Sequence, residues 1–438
     1  MRSILLAVVF FGMLPTAIVW PEIGIMLWAW VSYMNPHKLT WGFTRNLPLA
    51  QMAALVTVAA WTINRQPKRL QLNRTTLLLL CLFLWYGLTT LVAIDRPTAV
   101  PLLVDEVKKL LLCGMMLAII DDRRKLLWLV GVIAVSLGIF GVQGGAFVIA
   151  TGGSRLVSGP IGSYAADNNC LAVVMVMSVP LMAFFYLQAT RPWQRGLIAL
   201  AVLLTMIAIM GTRSRGGFLA LACCLAFLWF KAPRSLGGIV MLLMGMGAAL
   251  LIMPDEFYQR LSTLTVRHDE LDKSAVGRLE AWGHALNIVA SRPLVGAGFA
   301  AFTPDVFAQF TPDVHPRAAH SVIFQLLGEL GIGGLVLYFT MLFSAYRDGA
   351  WMVRHARGRP DAAWAGDLGR MLQVCLIGFT IGGAFLSLAH IEPLYGLIVV
   401  CALSRRILRR ETALKEAEAR QSPPSIGSPE HHAMPHRQ

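Results

Sequence analysis

The chain has 438 residues, 56% of them hydrophobic and 14% charged, with a formal net charge of +14. Soluble domains carry about 25% charged residues, so an ordinary soluble protein is excluded, and the recurring apolar stretches imply a polytopic helical membrane protein. The positive balance does not imply a nucleic-acid partner, because the basic residues cluster in short links between apolar runs, as cytoplasmic loops do.

Residues 4–20 run directly into further apolar sequence and lack a small-residue cleavage site, so they read as a retained segment. Residues 4–34 read as two helices broken at Pro15 and Pro21, each short for a full crossing, which together make one net crossing. Further spans are predicted near 47–63, 75–94, 107–120, 126–150, 169–187, 196–212, 216–230, 236–253, 320–345, 371–388 and 391–404. The links "NRQPKRLQLNR" (64–74), "DDRRK" (121–125), "RPWQR" (191–195), "KAPR" (231–234) and "SRRILRR" (404–410) anchor the cytoplasmic side. Alternation then puts 35–46, 95–106, 151–168, the turn "GTRSRGG" (211–217) and 254–319 outside.

The expected fold is all-α, with about twelve transmembrane units and one larger periplasmic helical segment. Four regions follow: helices of 1–253, the periplasmic segment 254–319, helices of 320–404, and a cytoplasmic tail over 405–438. Within 254–319, "DEFYQRLSTL" and "AVGRLEAWGHALNIVAS" have helical spacing, and "RPLVGAGFAAF" reads as a Pro/Gly loop. The tail "QSPPSIGSPEHHAMPHRQ" is polar and Pro/Ser-rich, a composition that favours disorder over metal binding by its histidines. The seven cysteines lie in or beside apolar runs without metal-ligand spacing and read as packing residues. No cofactor and no metal are expected. The glycines of "GGAFVIATGG" read as close helix contacts and not as a phosphate loop.

The same topology gathers several unusual groups outside. Arg213 and Arg215 occupy the GTRSRGG turn, where a pair of charges between apolar runs calls for an explanation. Arg278 opens the helix "GRLEAWGHAL", His320 heads the span "HSVIFQLLGELGIGGLVLYF", and Arg155 and "DNN" (167–169) flank another loop. An arginine fork binds oxyanions bidentately and stays charged, and two or three such forks suit a pyrophosphate. A histidine that titrates near neutrality can take a proton from a hydroxyl. Taken singly, these residues have plainer readings. The arginines fit snorkelling to lipid phosphates, Arg278 fits a solvated helix face, His320 fits an interfacial polar residue, and Asp167 with Asn168 fits a helix cap. His390 and Glu392 fit interfacial positions at an external turn.

The series "TRSRGG", "GRLEAWGHALNIVASRPLVGAGFAAF" and "HSVIFQLLGELGIGGLVLYF", over about 211–345, resembles the signature of the O-antigen ligase and polymerase superfamily. "SYMNPHKLTWGF" and "GVQGGAFVIATGGSRLVSGPIGSYAADNN" are similar to a narrower branch, the O-glycosylation ligases associated with exosortase A systems. The resemblance implies that Arg215, or its neighbour Arg213, engages the donor pyrophosphate together with Arg278. It implies that His320 activates or orients the acceptor hydroxyl. This chain has "HS" where many relatives have "HN", which leaves the role of Ser321 open.

The implied protein is an inner-membrane glycan ligase facing the periplasm. It takes a polyprenyl-diphosphate-linked glycan donor and a hydroxyl acceptor of unknown identity, embedded in the lipid bilayer, and works by inversion without a metal. A polymerase of lipid-linked repeat units shares the donor chemistry. A transporter of lipid-linked sugars is the rival from another class, with key charges expected near the membrane midplane.

Overall fold

In the computed structural model, the structure describes residues 1–64, 72–231, 247 and 273–421. Apart from residue 247, the expected span 236–253 lies outside the described residues, as do the first part of the external segment (254–272), most of the link 64–74 and the Pro/Ser tail beyond Gln421 with His431, His432 and His436. The helices are α1 Arg2–Val19, α2 Pro21–Met34, α3 Leu49–Ile63, α4 Arg74–Leu91, α5 Arg96–Ile119, α6 Arg123–Ala150 and α7 Asn168–Gln188. They continue as α8 Pro192–Gly211, α9 Arg215–Lys231, α10 Lys273–Ser291, α11 Pro304–Phe310, α12 Val322–His355, α13 Ala363–Gly383 and α14 Glu392–Gln421. No strand occurs among the described residues.

Six described helices, α1, α4, α6, α7, α8 and α12, are long and apolar enough to cross a membrane, and α3 is a shorter apolar helix. The expected twelve units therefore do not map one to one onto such helices. The N-terminus departs from expectation most clearly. Pro15 lies inside α1, and the chain turns only at Trp20, so that Pro21 opens α2 at a position that needs no N–H donor. Asn64, at the end of α3, donates to the Val19 carbonyl at 3.2 Å, while Ser3 donates to the Trp41 carbonyl at the opposite end. Thus α1 and α2 form an antiparallel hairpin instead of one broken crossing. The first residues consequently share an end of the bundle with the 35–48 loop.

α5 also starts earlier than expected. Asp95 caps it through the Thr98 amide, and Pro97 and Pro101 are accommodated in its first turns, so 96–106 is helix and not loop. At the other end of the chain, α13 stops at Gly383 and leaves 384–391 irregular. α14 runs through "SRRILRR" to Gln421, carried past the apolar part by strong helix formers (Ala, Glu, Lys, Arg) in what was expected to be tail.

The bundle centre is α7, which is buried nearly all round and packs on α6, α8, α9 and α13. α6 and α8 make the closest helix pair. A Cβ on Gly145 would sit 2.2 Å from the Leu204 carbonyl oxygen, and one on Gly141 would sit 2.1 Å from Thr205 Oγ1. Of the glycines in "GGAFVIATGG", Gly144 (whose Cβ would lie 2.9 Å from Ala208 Cβ) and Gly145 act as the close helix contacts expected, whereas Gly152 and Gly153 lie beyond α6 in a left-handed turn. All seven cysteines are free, as packing residues would be.

The predicted span at 320–345 is not continuous. α12 breaks at Gly331, whose φ of 66° and ψ of −169° are open to glycine alone. A broken helix in an apolar region must find partners for its backbone groups elsewhere. Here the Pro/Gly loop supplies them. Ala297 donates to Gly328 O at 2.7 Å, Gly298 to Glu329 O at 3.0 Å, and the Trp85 indole to Leu330 O at 3.0 Å. Beyond the break, Ile332 donates to Pro293 O at 2.8 Å and Gly333 to Leu294 O at 3.2 Å. Residues 293–298 are thereby laced onto α12, which fixes the segment 273–319 at one end of the bundle. That segment has its own small core of Ile288, Ala297, Ala301 and Val306, roofed by a buried His284 stacked on Phe307 at 3.7 Å.

Candidate functional site

Every expected site residue lies at the same end of the bundle, where α7, α9, α12 and α14 begin and α6, α8 and α13 finish. The α8–α9 turn is built on Thr212 and Ser214, both buried. The Asn168 amide donates to the Thr212 carbonyl at 2.8 Å, and Ser214 Oγ accepts from the Gly217 amide at 3.1 Å, which caps α9. Arg213 between them takes a left-handed backbone, with φ of 54°. Its guanidinium turns onto the 151–154 loop and donates to the carbonyls of Gly153 and Ser154, both at 3.2 Å. The Arg213 side chain is thus turned back onto a neighbouring loop.

Arg215 opens α9, where helix amides carry partial positive charge and favour an anion. The next residues are pressed between two neighbours. A Cβ on Gly216 would lie 3.5 Å from Phe385 Cβ, and one on Gly217 would lie 2.4 Å from Ala172 Cβ. α9 therefore starts wedged between the head of α7 and the 384–391 loop.

That loop reaches His320. The His320 amide donates to Ser387 Oγ at 2.9 Å, and His320 has a φ of 47°, a left-handed conformation that histidine adopts more readily than most residues. Ser321 is buried and forms the N-cap of α12, with its carbonyl accepting from Gln325 at 2.9 Å. The His320 pKa lies below its ordinary value. Partial desolvation is the main cause and the Arg278 charge the second, with Asp167 acting in the opposite sense. The Arg278 and Asp167 charges therefore both act on the His320 ring, in opposite senses. The ring is held towards its neutral form, the form able to accept a proton.

Arg278 is aimed by the helix that carries it. Trp282, one turn on along the same face, donates to the Ala319 carbonyl at 2.9 Å and stacks on Phe324 with centroids 4.6 Å apart. α10 is thus pinned to the residues on either side of His320. Arg278 Nε is buried and has no hydrogen-bond partner among the described residues. A further arginine, Arg317, lies across the start of α10, 3.2 Å from Glu280, with its guanidinium packed over Gly277.

Asp167 has two roles. It caps α7 through the amides of Asn169 at 2.9 Å and Cys170 at 3.1 Å, as expected, and its charge also acts on His320. The histidine at 390 is more than interfacial. Its Nε2 lies 2.6 Å from Glu329 Oε2, while the adjoining Ala389 carbonyl accepts from Tyr338 at 3.1 Å and Tyr395 at 3.2 Å. This buried network anchors the loop that presents Ser387. Ser387 and Arg317 carry no motif, and no signal in the sequence points to them. Among the described residues no three His, Cys, Asp or Glu side chains gather as a metal ion would require.

Residues 199–339 match a family model described as O-Antigen ligase, and residues 1–190 match a family of unknown function. No curated protein matches the chain significantly. The first match supports the O-antigen ligase and polymerase superfamily and, with the apolar helices, a multi-pass membrane protein that transfers glycans as a ligase or a polymerase. Arg213, Arg215, Arg278 and His320 fall within that match, Asp167 falls within the other, and Ser387 lies beyond both.

Proposed function

We propose that the protein is an inner-membrane glycan ligase that works at the periplasmic face. It moves an oligo- or polysaccharide from a polyprenyl-diphosphate carrier to an acceptor hydroxyl. The observation that carries this reading is the arrangement around His320: a partly desolvated histidine at the head of α12, acted on by the charges of Arg278 and Asp167 and tied through Ser387 to the loop against which α9 begins.

In this reading the acceptor oxygen attacks the anomeric carbon of the donor sugar. Its proton passes to His320, and the bond from the anomeric carbon to the carrier diphosphate breaks, with the electron pair leaving on the diphosphate oxygen. Attack from the face opposite the diphosphate inverts the anomeric centre. Arg278, with its buried and unpartnered Nε, and Arg215 at the head of α9 meet the charge that grows on the leaving group. Arg213 shapes the turn. The narrower family branch further suggests acceptors produced by exosortase-linked systems.

The test uses purified protein in nanodiscs with a lipid-diphosphate-linked oligosaccharide and candidate hydroxyl acceptors, with and without a chelator. Transfer to a non-lipid acceptor, unaffected by chelation, is expected. Elongation of the lipid-linked chain alone would favour the polymerase, and movement of donor between leaflets without any product would favour the carrier.

A further inference from the structure

The opposite end of the bundle holds a feature that glycan transfer does not use. A cavity of about 1020 Å³ opens there between α4 and α14, lined by Arg74, Arg405, Arg406, Arg409, Arg410 and Trp61. A single carboxylate, Asp121, shares the lining. A topology signal requires only that positive charge accumulate on one side of the membrane. It does not require five arginines from two helices, distant in sequence, to face one concave space.

The arginines fall into two groups. Arg405 is paired with Asp348 at 2.6 Å, and Arg406 donates to the last carbonyls of α5, those of Leu117 and Ile120. Those two hold the cavity wall. Arg74 and Arg409 are exposed and have no hydrogen-bond or ion-pair partner among the described residues, and Arg410 reaches only the Asp121 carbonyl at 3.5 Å. Two cations are thus presented to the cavity by a scaffold of two others already satisfied.

Apart from two amides, Asn64 and Asn73, the rest of the lining is apolar, with Pro21, Leu72, Ile119 and Ile407. Its rim runs onto an apolar outer surface at the paired ends of α1 and α3, where Val19, Trp20 and Ile63 are exposed. Asn64 joins those ends through the Val19 carbonyl. A basic hollow continuous with an apolar outer face has the polarity of a phospholipid with an anionic head.

We infer that this cavity binds the phosphate headgroup of an anionic phospholipid through Arg74 and Arg409, with the acyl chains lying along the exposed ends of α1 and α3. A free phosphate shares the headgroup chemistry but makes no use of the apolar rim.

The experiment uses full-length protein, delipidated in detergent, with bound lipid counted by intact-complex mass spectrometry. Phosphatidylglycerol and phosphatidylcholine are titrated separately, and inorganic phosphate is added as a competitor. The wild type should prefer phosphatidylglycerol by at least about tenfold, since each cation near an anionic headgroup contributes modestly and two act together. The double variant Arg74→Gln/Arg409→Gln should lose that preference while keeping the lipid-free melting temperature. Arg357→Gln, at the α12–α13 turn of the same end, should retain it. Unchanged preference in the double variant would overturn the assignment. Displacement of the lipid by millimolar inorganic phosphate would mean a free-anion site and would overturn the lipid reading.

Discussion

The turn at Arg213–Ser214 and the turn at His320–Ser321 are built alike. Each has a left-handed residue, at φ 54° and φ 47°, followed by a buried serine that starts a helix. Their side chains are used differently. The Arg213 guanidinium is committed to the Gly153 and Ser154 carbonyls, so its turn hands the exposed helix start to Arg215. At the other turn the His320 backbone is committed to Ser387, while its ring has no hydrogen-bond partner among the described residues and feels the charges of Arg278 and Asp167. A left-handed residue before a helix can therefore brace a loop or present a reactive group. What its side chain meets decides between them.

The largest expected effect separates the ring from its backbone. His320→Asn keeps a residue tolerant of the left-handed conformation but removes the proton acceptor. Transfer should fall by at least about a hundredfold, the usual scale for losing a general base, with an unchanged melting temperature. A variant that kept half its rate would make the two turns equivalent supports.

Next come the arginines. Arg215→Lys and Arg278→Lys should each slow transfer by at least about tenfold, because a lysine does not reproduce the planar fork. Arg213→Lys should leave the rate within a few-fold, as measured by product formed per unit of folded protein. Equal losses at Arg213 and Arg215 would undo the distinction between them.

The third prediction is a shift with pH. Arg278 lowers the His320 pKa, so Arg278→Gln removes a repulsive charge and the pKa rises towards its ordinary value. Protonated His320 is inactive as a base. The acidic limb of kcat/KM should therefore move to higher pH in Arg278→Gln and to lower pH in Asp167→Asn. Coincident limbs in all three proteins would mean that another group titrates.

The smallest effect is on stability. Arg213→Gln gives up hydrogen bonds to two loop carbonyls at a half-buried position, a loss of about 1 kcal/mol. Thermal unfolding should show it, and the 151–154 loop should become more open to proteolysis.

Much of this was legible in the sequence. Hydrophobic periodicity locates most of the described bundle, and two glycines of "GGAFVIATGG", Gly144 and Gly145, make the close helix contact their type suggests, with α8 as the partner the structure adds. The GTRSRGG turn, the helix of Arg278 and the head of α12 were all placed at one end. The break at Gly331 was not legible, because "GELGIGG" reads as an apolar helix until the Pro/Gly loop that satisfies its carbonyls is known. The hairpin of α1 and α2 was missed for a related reason. Pro15 and Pro21 look equivalent in sequence, yet a turn forms only at the one where α1 can fold back on its neighbour. Ser387 acts through a long-range contact from an irregular loop, and such contacts leave no local pattern. Nor does spacing show that the left-handed Arg213 turns its guanidinium onto the 151–154 loop.

The division of labour between the two turns is tested most directly by measuring donor binding and glycan transfer separately in His320→Asn and Arg215→Ala. The account predicts that His320→Asn binds the lipid-diphosphate donor as the wild type does yet forms no product. Arg215→Ala should bind it at least about tenfold more weakly, having lost a charge-assisted partner of the diphosphate. Wild-type donor affinity in Arg215→Ala, or continued transfer by His320→Asn, would contradict it.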